Sequence, residues 1–571
     1  KTSPRFQKTR HYDYTPLKKD QDGFRLNTGH KFIHLTSDSL VAVAPFGGPV
    51  AICKNGAKIV QRTASGLDSG IFIYSQAGHL LNVFQPMNQA SQSQYASIRY
   101  GASSQKGAIC QIEWLDTEAL ACITTKGFVF IYTIFGNQLN SFPLDRMMDD
   151  DEQLIQCKIW QSGIVVITKL RTVLKGYLVT NILSEEPTCE QLADMSHLLL
   201  DLSEYESFDP YLAIEVIVRR GAFHDSEVDV MVAIGNTLLI LNQEHVQDVG
   251  LNNGPHRIIA SSPSGEAIAT FTKGGSLWVS PSDFSSASFE FSLLKGTETA
   301  VIPTQALWCG EDALVLYWEP DILKSGSSLV LMISPSRDFQ KFEFEGPIRM
   351  TAEIDGVRII SNNGCEFLQR VPDANVSIFR IGSLEPGAIL FDSYESVLKK
   401  KSSSITNINS LDTKLVDAVY TCLQAAGHEF DEVIQDRLLK AAAYGKLFPQ
   451  CTNFNHNSFV QMCKTLRVIN AVRDPAIGIP ISYKQFEVLT PRVLIDRLAN
   501  RYHHHLAFKL CKYLDLKSEN VLVHWACAKV CSSENDDDIL KSIKDKLEQK
   551  ENISFATKKP KKLLICPALC T

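Results

Sequence analysis

Few side chains in this 571-residue chain have types and spacings that could do chemistry, and each has a plainer reading beside it. His503, His504 and His505 stand in a row, a composition that suits a transition metal. Adjacent helical residues point about 100° apart, so three in a row cannot all face one ion, and a polar turn between helices fits better. Cys527 and Cys531 lie four apart on one helix face beside Trp525, with neither a second pair nor a plausible histidine partner in sequence. Core thiols fit them better than a metal or redox pair. Asp149, Asp150, Asp151 and Glu152 could imitate a cation site but lack the spacing and the glycine of a calcium loop, so a solvated loop is expected. Gly47-Gly48-Pro49 hints at a phosphate loop, yet has neither the lysine nor the following helix, and reads as a turn between strands. No catalytic set, metal or cofactor is expected.

Composition narrows the function classes further. Lys and Arg number 57 against 63 Asp and Glu, a net charge of −6, so the chain has no basic field to hold a nucleic acid. Fifteen cysteines are scattered without a Cys-x-x-Cys pair, as expected of reduced thiols in a cytosolic protein. No apolar run reaches the roughly 18 residues that span a bilayer. The basic stretch Lys1 to Lys19 lacks the apolar segment of a secretory signal.

The elements that must position any site change character near residue 390. Before it, apolar residues come in short runs such as Leu40 to Ala44, Ile71 to Tyr74, Phe128 to Tyr132 and Val228 to Ile234, which predict strands. Around Trp114 a strand, turn, strand, turn, strand pattern runs to Gly136, and it returns from Ile258 to Val279 with a matching Lys-Gly turn. Weaker copies begin near Cys157, Tyr211, Ala306 and Arg349, at the spacing of roughly 45 to 50 residues that suits four-stranded blades. Counting a unit from Leu40 through Leu81, the pattern predicts a β-propeller of about seven irregular WD40-like blades over 36–385, after an N-terminal extension, 1–35. A long two-sheet β domain is the competing arrangement.

After a polar joint at 386–410, which contains Lys399-Lys400-Lys401 and Ser402-Ser403-Ser404, the apolar period becomes helical. One helix runs to about Ala426, where Gly427 can take the left-handed conformation that closes it. Asp431 can cap the next, which ends near Tyr444-Gly445. A third starts near Ser458 with Phe459, Met462, Leu466 and Ile469 on one face, and Pro475 halts it. Thr490-Pro491 opens another. Helices at about His505 to Leu514, Glu519 to Val530 and Asp536 to Leu547 follow. Each is short enough to need its neighbours, so 411–554 is expected to begin an α-solenoid.

Several motifs in these halves resemble one family. Leu466 through Ile481, Ala425 to Glu429, Leu438 to Gly445, and His524-Trp525-Ala526-Cys527 closely resemble the family of vacuolar protein sorting-associated protein sixteen, core subunits of the class C tethering complexes. Pro45-Phe46-Gly47-Gly48-Pro49, Asp355 to Ile359 and Glu366-Phe367-Leu368 look like the same family's propeller. The resemblance implies a nonenzymatic HOPS and CORVET subunit, peripheral on late endosome and lysosome or vacuole membranes, acting in tethering, fusion and autophagy. Its implied partners are the other class C subunits and a SNARE regulator of the Sec/Munc class, with SNAREs and small GTPases engaged indirectly. The family-motif residues Gly427, His428, Glu429, Arg467, Arg473, Asp474, Pro475 and Pro480 read as mostly structural, with Arg467 and Arg473 open to a partner-contact role.

The resemblance stops after Ser554. Residues 555–571 form a divergent basic tail, in which Lys558-Lys559-Pro560-Lys561-Lys562 cannot extend a helical register. Because the family binds its SNARE regulator further along the solenoid, a chain of this extent is expected to lack that surface. Two other functions compete: a different propeller and solenoid scaffold, such as a vesicle coat or intraflagellar transport component, and a propeller enzyme, which needs acids clustered in the central funnel.

Overall fold

The computed structural model describes residues between Tyr12 and Val530 with breaks, the longest at 17–26, 56–69, 87–106 and 196–211. Asp149 to Asp151, Cys531, the helix expected over 536–547 and the basic tail lie outside the described residues. The chain divides into two units, one through Arg370 and one from Val371.

The first unit contains seven four-stranded antiparallel sheets. Their first strands are Ser39–Val43, Ile109–Trp114, Gln153–Trp160, Leu212–Arg220, His256–Ser261, Gln305–Cys309 and Arg349–Glu353. These touch one another in order and return from Arg349–Glu353 to Ser39–Val43, so they ring a common axis. The sheets are therefore the blades of a closed seven-bladed propeller. The apolar alternation explains why: each sheet buries both faces, one against the blade before and one against the blade after. Trp114, Leu120 and Phe130 pack with Ala42 and Ile73, and Ile123 and Val129 on the opposite face pack with Ile164 and Val179. Ile360 and Cys365 of the last blade pack with Val43, Val50 and Tyr74 of the first.

Two boundaries differ from the sequence reading. The outermost strand of the seventh blade is Tyr12–Pro16, paired antiparallel to Gly364–Arg370 from Tyr12↔Arg370 to Pro16↔Glu366, so part of the expected N-terminal extension belongs to the propeller. At the other end the strands stop at Arg370, and Asp373–Phe379 is a helix of the second unit.

Eight helices of the second unit matter below: α1 Asp373–Phe379, α2 Pro386–Leu398, α3 Leu415–His428, α4 Glu432–Gly445, α5 His456–Arg473, α6 Tyr483–Asn500, α7 His504–Tyr513 and α8 Glu519–Val530. Helix α2 fills much of the expected joint. Pro386 occupies the first helical turn after Glu385, where a missing N–H costs nothing. Leu390 of α2 then joins Leu415, Val419, Cys422, Leu438, Ala441 and Ala442 in one core with α3 and α4. Asp431 accepts from Val433 N at the start of α4, and Asn455 accepts from Asn457 N at the start of α5. Helix α6 begins before Thr490-Pro491, with a reciprocal capping box between Ser482 and Gln485. It breaks at Thr490, whose φ is 66°, because Pro491 forbids the residue before it the helical conformation.

Candidate functional site

The motif residues of the helical unit gather where α3, α4, α5 and α6 meet. Arg473 ends α5; its Nε donates to the Ile481 carbonyl at 2.8 Å and its Nη1 to the Glu429 carbonyl at 3.1 Å. The guanidinium lies 4.0 Å from the Phe430 ring centroid. Its planar fork thus ties the segment after α3 to the segment before α6, a geometry lysine cannot reproduce. The Glu429 carboxylate accepts from Asn375 of α1, and the Glu429 carbonyl also takes Gln435 Nε2 at 2.7 Å. Gln435 and Asn470 exchange a further side-chain bond at 2.8 Å.

Asp474 caps the turn that follows: Oδ1 accepts from Ala476 N at 2.9 Å, and its carbonyl accepts from Ile477 N and Gly478 N. Pro475 occupies that turn, and Pro480 is buried beyond it. Arg467 lies apart on the exposed side of α5, donating to the Tyr513 hydroxyl at 3.2 Å.

Gly427 requires a correction. Helix α3 continues through it to His428, and Gly427 is not among the left-handed glycines. Its missing side chain serves packing instead: a Cβ there would lie 3.2 Å from Met462 Cε and 3.4 Å from Tyr483 Cγ. The His428 ring meets Tyr483 edge-on, with centroids 5.5 Å apart. Burial, reinforced by Glu487, raises the Tyr483 hydroxyl to about 12.

The propeller motifs also converge, on the seam between the seventh and first blades. Glu353 accepts from Arg358 Nε at 3.0 Å and from Phe46 N at 2.8 Å. Arg358 lies 5.0 Å from the Phe367 ring centroid. Gly47-Gly48-Pro49 is the turn expected, connecting Ser39–Val43 to Val50–Lys54, and the Gly48 carbonyl accepts from Gln76 Nε2 at 2.9 Å. Gly356 is obligatory because a Cβ would lie 2.5 Å from the Leu368 carbonyl oxygen.

Along the axis, successive first strands carry Glu113, Lys158, Glu215 and Ser261. Lys158 pairs with Glu215 and donates to the Ile214 carbonyl, while Ser261 donates to Glu215 at 3.0 Å. Burial raises the Glu113 carboxyl to about 7, against the opposing pull of the Trp114 N–H and Lys158. The Lys158 ammonium is therefore held by the Glu215 carboxylate. Glu152, the described part of the acidic stretch, is not solvated. Its buried carboxylate pairs with Lys175 at 2.8 Å and accepts from Thr168 and Tyr177 within the third blade.

Of the histidine row, His503 precedes α7 as expected of a turn, but His504 Nε2 lies 2.8 Å from His524 Nδ1 on α8. Sequence distance hid this partner. Burial, then His524 and His503, lowers His504 to about 4. Among the described residues no three His, Cys, Asp or Glu converge as metal ligands, and Cys527 is half-buried. No described helix is long and apolar enough to cross a membrane.

A closed seven-bladed propeller and, in the second unit, an array of helices whose motif side chains hold backbone segments together define the class of propeller proteins with a helical second unit. The chain belongs to the Vps16 family: the family model "Vps16, N-terminal region" matches residues 29–461. It is 33% identical to Protein VACUOLELESS1 of Arabidopsis thaliana over 91% of this chain and 58% of that protein. It is 31% identical to the vacuolar protein sorting-associated protein 16 homolog of Dictyostelium discoideum, over 90% of this chain and 57% of that one. The chain thus spans less than three fifths of the length of these relatives. Solved structures similar to it include Kluyveromyces lactis Hsv2, at 10% identity, TM-score 0.34 and coverage of 57% of this chain and 91% of that one. BamB from Moraxella catarrhalis matches at 9% identity, TM-score 0.33 and coverage of 63% and 96%. The propeller is assigned from its own seven sheets.

Proposed function

We propose that this chain acts as a nonenzymatic subunit of a HOPS- or CORVET-type tethering complex, serving traffic from endosomes to the lysosome or vacuole. Membership of a vacuolar protein sorting family supports the setting. The observation that carries the scaffold role is the use of Arg473: its bonds go to the Glu429 and Ile481 carbonyls, fixing the relation between helices. The eight motif residues are read as structural, with Arg467 the candidate partner contact because it lies on the surface. Other class C subunits are the direct partners. The Sec/Munc-class regulator, SNAREs and small GTPases are engaged through the assembled complex on late endosomal and lysosomal or vacuolar membranes.

Affinity capture of the tagged full chain from cells, with mass spectrometry of what co-purifies, tests this reading. Recovery of class C subunits is the expected result, reduced in Arg467→Ala at unchanged thermal stability if that residue is a contact. Recovery of coat or intraflagellar transport subunits in their place, or of no class C subunit by a folded chain, would overturn it.

A further inference from the structure

Helix α6 breaks at Thr490 in a way that its proline does not require. Pro491 keeps the residue before it out of the helical region, and an extended conformation with φ of about −120° meets that demand without strain. Thr490 has the extended ψ, 149°, but its φ is 66°. That combination belongs to glycine, and a β-branched residue held in it carries strain that the surrounding structure must impose. The Thr490 side chain is exposed, so it gains no burial in return.

Packing on either side of the break imposes the strain. Before it, the Ser482 and Gln485 capping box fixes the start of α6, the Tyr483 ring meets His428, and Phe486 and Leu489 are buried. After it, Leu494, Ile495, Leu498 and Ala499 are buried, and the chain runs on into α7 and α8, which touch α6 and each other. Arg467 of α5 joins the two sides, donating to the Tyr513 hydroxyl of α7 at 3.2 Å. This bond is exposed, so water or another acceptor can replace it.

Because ψ is already extended, φ of Thr490 is the one dihedral that must change for this residue to relax. Turning it re-aims every residue after the break relative to every residue before it. We propose that Thr490 is a strained joint, holding the second half of α6 with α7 and α8 in a cocked position that the bond between Arg467 and Tyr513 latches. Breaking the latch lets Thr490 relax to negative φ, and the second half of α6, α7 and α8 turn together. Glycine at this position removes the reason to turn, because it holds positive φ as readily as negative. The joint is independent of the tethering role, since it rests on the strain and the latch alone.

Single-molecule energy transfer on the full chain tests this, with dyes on azide-bearing residues introduced at Val433 of α4 and Val530 of α8, both exposed. The parent chain should give one transfer efficiency. Tyr513→Phe should add a second, and Thr490→Gly combined with it should reduce that second population about tenfold, the size of an ordinary backbone strain. Arg467→Gln breaks the same latch from the exposed side of α5 and serves where Tyr513→Phe folds poorly. One unchanged efficiency in the folded latch variants, or a second population that Thr490→Gly leaves in place, would overturn the proposal.

Discussion

Arg358 Nε lies 3.0 Å from Glu353 Oε1, and neither side chain retains solvent-accessible surface. Burial raises the Glu353 carboxyl, while Arg358 and the Phe46 N–H oppose that rise. Replacing Arg358 by leucine leaves a buried acid facing one backbone donor. A loss of about 3–5 kcal/mol at neutral pH is expected in urea unfolding. Without Arg358 the folded carboxyl rises further above its unfolded value, so folding then takes up a proton. The variant's deficit should therefore be smaller at pH 5 than at pH 8. A deficit independent of pH would show that Glu353 stays charged.

Gly427 and Gly445 both sit at helix contacts, yet they should respond differently to alanine. A Cβ at Gly427 meets the flexible end of Met462 first, at 3.2 Å, and the helix propensity gained, about 1 kcal/mol, offsets the crowding. At Gly445 the Cβ would lie 2.7 Å from Val419 Cγ2 and 3.0 Å from Leu390 Cδ2, inside the three-helix core. Thermal melts should place Gly427→Ala close to the parent protein and Gly445→Ala about 1–3 kcal/mol below it.

The His504 and His524 pair predicts acid weakening of α7 and α8. Both side chains titrate below their ordinary value, His504 at about 4, so the unfolded chain binds more protons. Their contribution is complete above about pH 6.5 and is lost as pH falls toward 4. Because both rings are only half-buried, about 1 kcal/mol is the expected size. Amide exchange in Glu519–Val530 should quicken between pH 7 and pH 5, after correction for intrinsic rates, and the His504→Gln variant should flatten that response.

Trp114 Nε1 donates to the Ala42 carbonyl at 3.2 Å, and Trp308 Nε1 to the Ala260 carbonyl at 3.0 Å, each reaching the first strand of the blade before. Substitution by phenylalanine leaves a buried carbonyl without that donor. Each variant should lose about 1–3 kcal/mol, by chemical denaturation, and the two losses should add because the residues sit in different blade contacts.

Much of this architecture is legible in the sequence. The repeated strand and turn pattern placed all seven units, because the strand next to the innermost one, such as Leu120–Thr124, Gly163–Leu170 or Ala313–Trp318, is buried on both faces and nearly continuous in apolar residues. Thr490-Pro491, read as a helix start, is a kink in a helix that already begins at Tyr483, whereas the Asp431 cap was plainly visible, because caps act locally. The strand Tyr12–Pro16 was not: its sequence, Tyr-Asp-Tyr-Thr-Pro, has no strong apolar pattern, and its partner lies at the far end of the unit. Gly427 misled for a related reason, because a glycine required by a neighbouring helix looks the same in sequence as one required by its own backbone. The link between His504 and His524 likewise depends on helix packing that no local spacing encodes.

The pairing of Tyr12–Pro16 with Gly364–Arg370 also sets an order on biosynthesis. The first strand leaves the ribosome about 350 residues ahead of its partner, an interval of about 20–70 seconds at ordinary elongation rates. During that time the nascent ring has no seventh blade to close against, and the leading segment must wait with its backbone donors hydrated. Final closure is then a long-range event of high contact order, slow beside the hairpins that build each blade. A chain released before residue 364 would hold six sheets and an open circle, with one face of the first blade left uncovered.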